Sequence, residues 1–161
     1  MALQVDVISD VVCPWCFIGK RKLAHALELY RERNPDAEPP QVTWHPYQLN
    51  PDMPEGGVDR ADYLERKFGG RSTEIYARIS AVGAQVGITF AFDKVARQPN
   101  TLAAHRLIAL AGDVRLQDEL VEAMFRAYFI DGRDLTVIET LSGIACEAGL
   151  GREQRWPFSG V

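Results

Sequence analysis

The stretch Val5-Asp6-Val7-Ile8-Ser9-Asp10-Val11-Val12, followed by Cys13-Pro14-Trp15-Cys16 and then Phe17-Ile18-Gly19-Lys20-Arg21-Lys22-Leu23, decides the reading. β-Branched residues at 5, 7, 8, 11 and 12 predict a strand over Val5–Val12. The near-continuous apolar run predicts that this strand is covered on both faces. Proline is tolerated in a first helical turn, so Cys13-Pro14 marks a strand-to-helix junction. Ile18, Leu23, Leu27 and Tyr30 recur at roughly helical spacing. They predict a helix from Trp15 to about Arg33, with Lys20, Arg21, Lys22 and Arg31 on its surface and Asn34-Pro35 ending it.

That context gives the cysteine pair its chemistry. Unsatisfied amides and the macrodipole at a helix N-terminus stabilise an anion. Cys13 is nearest that end, so its thiolate is expected to be favoured and its pKa lowered. Cys16 lies one turn further on the same side, within disulfide reach. The arrangement suits exchange in two steps, Cys13 attacking or being attacked and Cys16 resolving the mixed disulfide. Pro14 and Trp15 tune the pair by limiting backbone freedom and altering polarity around the sulfur. Two other readings stand beside this one. A zinc site needs two further ligands; Cys146, His25, His45 and His105 are available, but none forms a second C-x-x-C or an H-x-x-H pair, so no metal is assigned. A pair of buried structural thiols is the other. Cys146 alone reads as a buried structural thiol. Asp6 and Asp10 flank the redox strand and are expected to modulate proton transfer if buried.

Working outward, Glu38-Pro39-Pro40 is a connector, and Gln41–Leu49 alternates Val42, Trp44 and Tyr47 with polar neighbours as a second strand ending at Asn50-Pro51. Strand, helix and strand make a βαβ unit with a right-handed crossover. Residues 52–57 form a turn-rich loop. The remainder reads as helical: 59–68 stopped by Gly69-Gly70, a helix capped by Ser72 with Ile75, Ile79, Val82 and Val86 on one stripe, an extended piece 88–92, a helix capped by Asn100, another over 116–129, and a last one starting at Asp134 or Thr136 and ending at Gly149. The organisation is therefore 1–51 as the N-terminal βαβ part, 52–150 as a helical insertion and 151–161 as an irregular tail.

Composition narrows the class. With 161 residues, 47% hydrophobic and 25% charged, the chain fits one globular domain. A net charge of −4 leaves no footprint for nucleic acid or an anionic membrane. The first residues lack a basic and apolar leader pattern, no apolar stretch reaches membrane-spanning length, and three cysteines make no disulfide framework. The expected compartment is the reducing cytoplasm.

The run Asp10-Val11-Val12-Cys13-Pro14-Trp15-Cys16-Phe17-Ile18-Gly19-Lys20-Arg21 resembles the start of the DsbA-like thioredoxin family, in particular its cytoplasmic FrnE-type branch. Three later stretches are similar to the same branch: Trp44-His45-Pro46-Tyr47-Gln48-Leu49-Asn50-Pro51, Pro99-Asn100-Thr101 running into Ala104-His105-Arg106-Leu107, and Ala127-Tyr128-Phe129. The resemblance implies an α/β thioredoxin-like fold with an all-helical insertion after the second strand. It also implies disulfide oxidoreductase or isomerase activity on protein or small-molecule disulfides, with Cys13 as nucleophile and Cys16 as resolving partner. Asn100 and His105 are expected either to line a substrate groove between insertion and catalytic helix, or to act as a helix cap and a packing residue. Kappa-class glutathione transferases and 2-hydroxychromene-2-carboxylate isomerases look similar in fold but typically carry serine where Cys13 stands. Thiol–disulfide exchange is therefore favoured over glutathione-dependent isomerisation; no resident cofactor is expected, and glutathione remains a candidate co-substrate. A redox-sensitive peptide-binding or chaperone-like module is the alternative from another class. The family continues with a strand preceded by a cis-proline loop, another strand and a helix, whereas here Ser159-Gly160-Val161 resembles only the residues before that proline. A C-terminally shortened chain follows as the expectation. Its turnover would be impaired, and the free edge of its first strand would invite homo-oligomer pairing.

Overall fold

The computed structural model describes residues 2–151, so the expected tail beyond Gly151 lies outside the described residues. Strand β1 (Gln4–Ser9) runs parallel to β2 (Gln41–Pro46), in a register that sets Val5 against Val42 and Val7 against Trp44. Helix α1 (Pro14–Arg33) makes the crossover, as the sequence predicts. Hydrogen bonds from Gln41 N to Leu3 O (2.8 Å) and from Tyr47 N to Ser9 O (3.0 Å) close the two ends of the ladder.

Two details depart from expectation. The first strand stops at Ser9, and it is packed on one face only: Val5 and Val7 are half-buried, whereas Ile8 on the other face is 68% exposed. The apolar run looked continuous because Val11 and Val12, both buried, belong to the turn after the strand. Lys20, expected on the surface, is 7% exposed. Its ammonium lies 2.7 Å from Asp118 and 3.7 Å from Glu122. The acidic start of a later helix faces α1, and one turn further along it Arg21 grips Glu122 through two hydrogen bonds of 2.8 and 2.5 Å.

Beyond residue 52 come α2 (Arg60–Phe68), α3 (Ser72–Ala84), α4 (Leu102–Asp113), α5 (Gln117–Phe129) and α6 (Ile138–Glu147). This part is not all-helical. Strands β3 (Val58–Asp59) and β4 (Arg97–Gln98) pair antiparallel. Gly57 permits that pairing: its φ is +64°, and a Cβ there would meet Gln98 O at 2.5 Å. Asp59 caps α2 by accepting the Asp62 N–H. Ser72 caps nothing, because a 3₁₀ turn over Gly69–Arg71 runs straight into α3 and makes it the first helical residue. The piece 88–92 pairs with no strand among the described residues; the Ala91 N–H goes instead to Phe129 O. The last helix starts at Ile138, later than expected, since Asp134 spends its carboxylate on the N–H and hydroxyl of Thr136.

Phe17, the residue after the motif, joins the two parts of the chain. It stacks on Phe125 at 5.0 Å between ring centroids and meets Phe90 edge-on at 6.0 Å; Phe129 lies beyond at 6.3 Å. Phe17, Phe125 and Phe129 are fully buried, so the βαβ unit and the helices share one core.

Candidate active site

Local geometry brings the cysteines together. Cys13 donates its N–H to Asp10 O (3.0 Å), closing a turn whose middle residues, Val11 and Val12, are anchored in the core. Cys13 is the N-cap of α1, with extended φ/ψ of −97° and 109°, and Pro14 occupies the first helical position. The amides of Cys16 and Phe17 then donate to Cys13 O (3.1 and 3.3 Å). Both thiols are half-buried and free, while Trp15 between them is 50% exposed.

The two thiols interact and titrate as one coupled pair, the first proton leaving easily and the second with difficulty. That contact is the main reason Cys16 is drawn down to about 6. Burial opposes it, and the Asp10 amide and Ser9 hydroxyl, both donating to the Cys16 sulfur, assist it. Cys13 is pushed far up, first because it donates to Cys16, then by burial and by the charge on its partner. The backbone of Trp15 and Cys16 acts in the opposite sense, as a helix mouth should, although the Cys13 side chain makes no capping hydrogen bond, and the neighbouring sulfur outweighs it. The expected lowering therefore belongs to the pair as a unit.

A pH dependence follows. Unfolded, both thiols titrate near the ordinary value of 9.0; folded, one has already ionised at about 6 and the other stays protonated. The lowered Cys16 contributes stability that is complete above 9.0 and lost as pH falls through about 6. The raised Cys13 adds the opposite sign above 9.0, where only the unfolded chain loses its second proton. Denaturant midpoints of the reduced protein, taken relative to a Cys13→Ser, Cys16→Ser double variant, should rise from about pH 6 towards 9 and fall beyond. A flat difference across that window would remove the coupled-pair description.

Beneath the motif, Asp10 is 2% exposed and His105, on α4, is 5% exposed. Asp10 accepts the Leu49 N–H (2.8 Å), and His105 Nε2 lies 3.2 Å from Asp10 Oδ1 and 3.1 Å from Tyr47 O. Asp6 is instead exposed and pairs with His45 at 2.7 Å. Asn100 accepts the Leu102 N–H (2.9 Å) and donates to Met53 O (2.6 Å), so it does bracket the start of α4. It also lines a cleft of about 300 Å³ with Leu102, Ala103, Leu135 and Ile138, which His105 does not share. His25 is on the surface and Cys146 is half-buried on α6. A larger cavity of about 720 Å³ follows the outer edge of β2 and includes neither motif cysteine. Among the described residues no three His, Cys, Asp or Glu side chains converge as a metal site, and no helix is long and apolar enough to cross a membrane.

Sequence reasoning passed over two groups here. Ser9 is buried against Cys16, which its place four residues before the motif did allow to be found. Arg60 is 6% exposed and its described partners are neutral: Gln98, the Tyr76 hydroxyl, and the faces of Tyr63, Tyr76 and Tyr128. Burial pushes the phenols of Tyr76 and Tyr128 up, and Arg60 offsets part of that. Nothing local in the sequence marks that cluster.

Comparison with known proteins bears on fold and family. A family described as DSBA-like thioredoxin domain matches residues 4–158. The chain is 26% identical over 150 residues to the uncharacterized protein YwbO of Bacillus subtilis (strain 168), covering 93% of this chain and 68% of that protein. It superposes with a TM-score of 0.79 and 26% identity on a crystal structure described as a probable DsbA oxidoreductase from Streptomyces coelicolor, over 92% of this chain and 64% of that one. A structure from Nitrosomonas europaea, described as a candidate protein disulfide isomerase, gives a TM-score of 0.62 at 17% identity, over 93% and 66% of the two chains, and speaks for the fold alone. The chain thus spans just under two thirds of the length of both solved structures.

Proposed function

Because the chain belongs to the DSBA-like thioredoxin domain family, we propose that it is a thiol–disulfide oxidoreductase that exchanges disulfides through Cys13 and Cys16. One observation carries this reading: two free, half-buried thiols stand together at the N-terminus of α1, Cys13 at its N-cap and Cys16 in its first turn. When the pair's first proton is lost from Cys13, the charge falls at the N-terminus of α1, where the helix dipole favours it. Cys13 attacks one sulfur of a substrate disulfide, that S–S bond breaks, and the other substrate sulfur leaves as a thiolate. Cys16 then attacks Cys13, closing the ring and releasing the second substrate thiolate. Exposed Trp15, Tyr47 and Leu49 favour protein disulfides as substrates, since they offer apolar contact in the segments beside the pair. Glutathione disulfide is the small-molecule counterpart. A reducing, cytoplasmic setting and a place near the FrnE-type branch fit the motif and the Trp44–Pro51 stretch. The edge of β1 that pairs with no strand among the described residues would admit a second copy, giving a dimer through the sheet.

The test is direct. Reduced protein incubated with glutathione disulfide should acquire one internal Cys13–Cys16 bond, read by peptide mass, and should catalyse dithiol-driven reduction of insulin. Absence of that bond after prolonged incubation would reject the assignment. The peptide-binding alternative draws on the apolar cleft beside Asn100, where Leu102 and Ile138 are exposed; a double serine variant that suppressed client aggregation as well as the native protein would favour it.

A further inference from the structure

Residues 47–49 continue the chain past the end of β2 at Pro46, and they are fastened by their polar groups while two side chains stay open. Tyr47 N donates to Ser9 O (3.0 Å), and Tyr47 O accepts from His105 Nε2 (3.1 Å). Leu49 N donates to Asp10 Oδ2 (2.8 Å). Between them the Gln48 side chain donates to Asn100 Oδ1 (3.2 Å), at the start of α4. Tyr47 is nonetheless 55% exposed and Leu49 45% exposed. The groups beneath are the opposite: Asp10 and His105 are both more than nine-tenths buried, and Asp10 Oδ1 lies 3.2 Å from Nε2. Nε2 faces oxygens on both Asp10 and Tyr47, so it donates in either charge state of the ring. Taking a carboxylate and an imidazole out of water is costly, and their mutual contact offsets that cost only in part. What the pair secures is a position.

We propose that Asp10 and His105 are positioning residues that hold Tyr47 and Leu49 as an apolar ledge beside Cys13, on which the polypeptide around a substrate disulfide rests; the inference rests on the redox function above. Asp10 ties the ledge to the reacting sulfur's own residue. Its backbone oxygen accepts the Cys13 N–H (3.0 Å) while its carboxylate accepts the Leu49 N–H, so one residue sets the spacing between the N-cap of α1 and the ledge. His105 fixes the same carboxylate from α4 and grips Tyr47 as well. A segment held at four points is ordered before substrate arrives, so its apolar contacts are not offset by the entropy of ordering a loose chain. The consequence is a preference among disulfides. A peptide or protein disulfide with apolar side chains beside its cysteines gains the ledge contact. Glutathione disulfide carries no apolar side chain and gains nothing from it.

Selectivity between two disulfides tests the ledge: a short peptide disulfide with leucine on either side of each cysteine, and glutathione disulfide. His105→Leu removes the donor and should lower the ratio of kcat/KM for the peptide to that for glutathione disulfide at least about tenfold, chiefly through the peptide KM. His105→Gln returns an N–H near the place of Nε2 and should recover most of that ratio. Tyr47→Ala combined with Leu49→Ala should lower the ratio by the same amount, and adding His105→Leu to that pair should lower it no further. Both ledge side chains are exposed, so their variant decides the matter if His105→Leu does not fold. An equal loss on both disulfides would make the buried pair a support of the motif alone and overturn the ledge. So would an unchanged ratio in the Tyr47→Ala, Leu49→Ala protein, or a further fall when all three changes are combined. Native protein inert towards both disulfides would remove the redox function itself, whereas native exchange that does not favour the peptide would remove the ledge alone.

Discussion

Cys13→Ser should reduce disulfide exchange to background, a loss of at least about a thousandfold, because among the described residues no other sulfur stands at the N-cap of α1. Cys16→Ser should behave differently. It keeps a nucleophile and loses the resolving partner, so the protein should accumulate as a mixed disulfide with its substrate. Mass spectrometry of the protein after brief exposure to glutathione disulfide separates the two: an adduct of one glutathione on Cys16→Ser, none at residue 13 on Cys13→Ser. The reverse pattern, capture through Cys16 alone, would invert the roles.

The second large effect is on stability. Phe17→Ala should lower the unfolding free energy by about 3–5 kcal/mol, the range for truncating a buried phenylalanine. Phe17 is fully buried, and it is the contact through which α1 reaches Phe125 on α5 and Phe90 near the end of α3. A loss of that size is a large share of the total for a domain of this length. Urea unfolding of the oxidised protein provides the measurement. Being next to Cys16, the same change should also blur the thiolate titration, which Ile144→Ala, an equally buried truncation on α6, should leave sharp. If both variants lose the same stability and neither touches the titration, the core and the motif are not coupled through Phe17.

Much of the fold is legible locally. The β-branched run, the proline at the junction and the spacing of Val42 and Trp44 carry the βαβ unit, and the cysteines follow from it. The end of β1 was misread for a reason found in the turn. Val11 and Val12 are apolar because they anchor a loop, and a periodicity argument cannot tell a buried turn from a buried strand. Strands β3 and β4 have two residues each, too few to show alternation; they are held by Gly57 and by the Arg60 N–H on Ala96 O. The candidate site shows the same divide. Ser9 and Asp10 stand inside the motif's own stretch, but His105 is 95 positions from Asp10 and meets it only because α4 packs across β2. Histidine alone on a helix carries no sign of such a meeting.

Gln117, at the start of α5, takes the Trp44 N–H on its Oε1 (2.8 Å) while its Nε2 donates to Trp44 O (3.0 Å) and to Ile108 O (3.2 Å), filling the place a neighbouring peptide would hold on the outer edge of β2. Deamidation of that single side chain would keep the acceptor and turn both donors into a carboxylate oxygen facing two carbonyls. Ageing chemistry at one amide would thus unfasten α4 and α5 from the strand they shield, and the outer edge of β2 would be left bare to other chains.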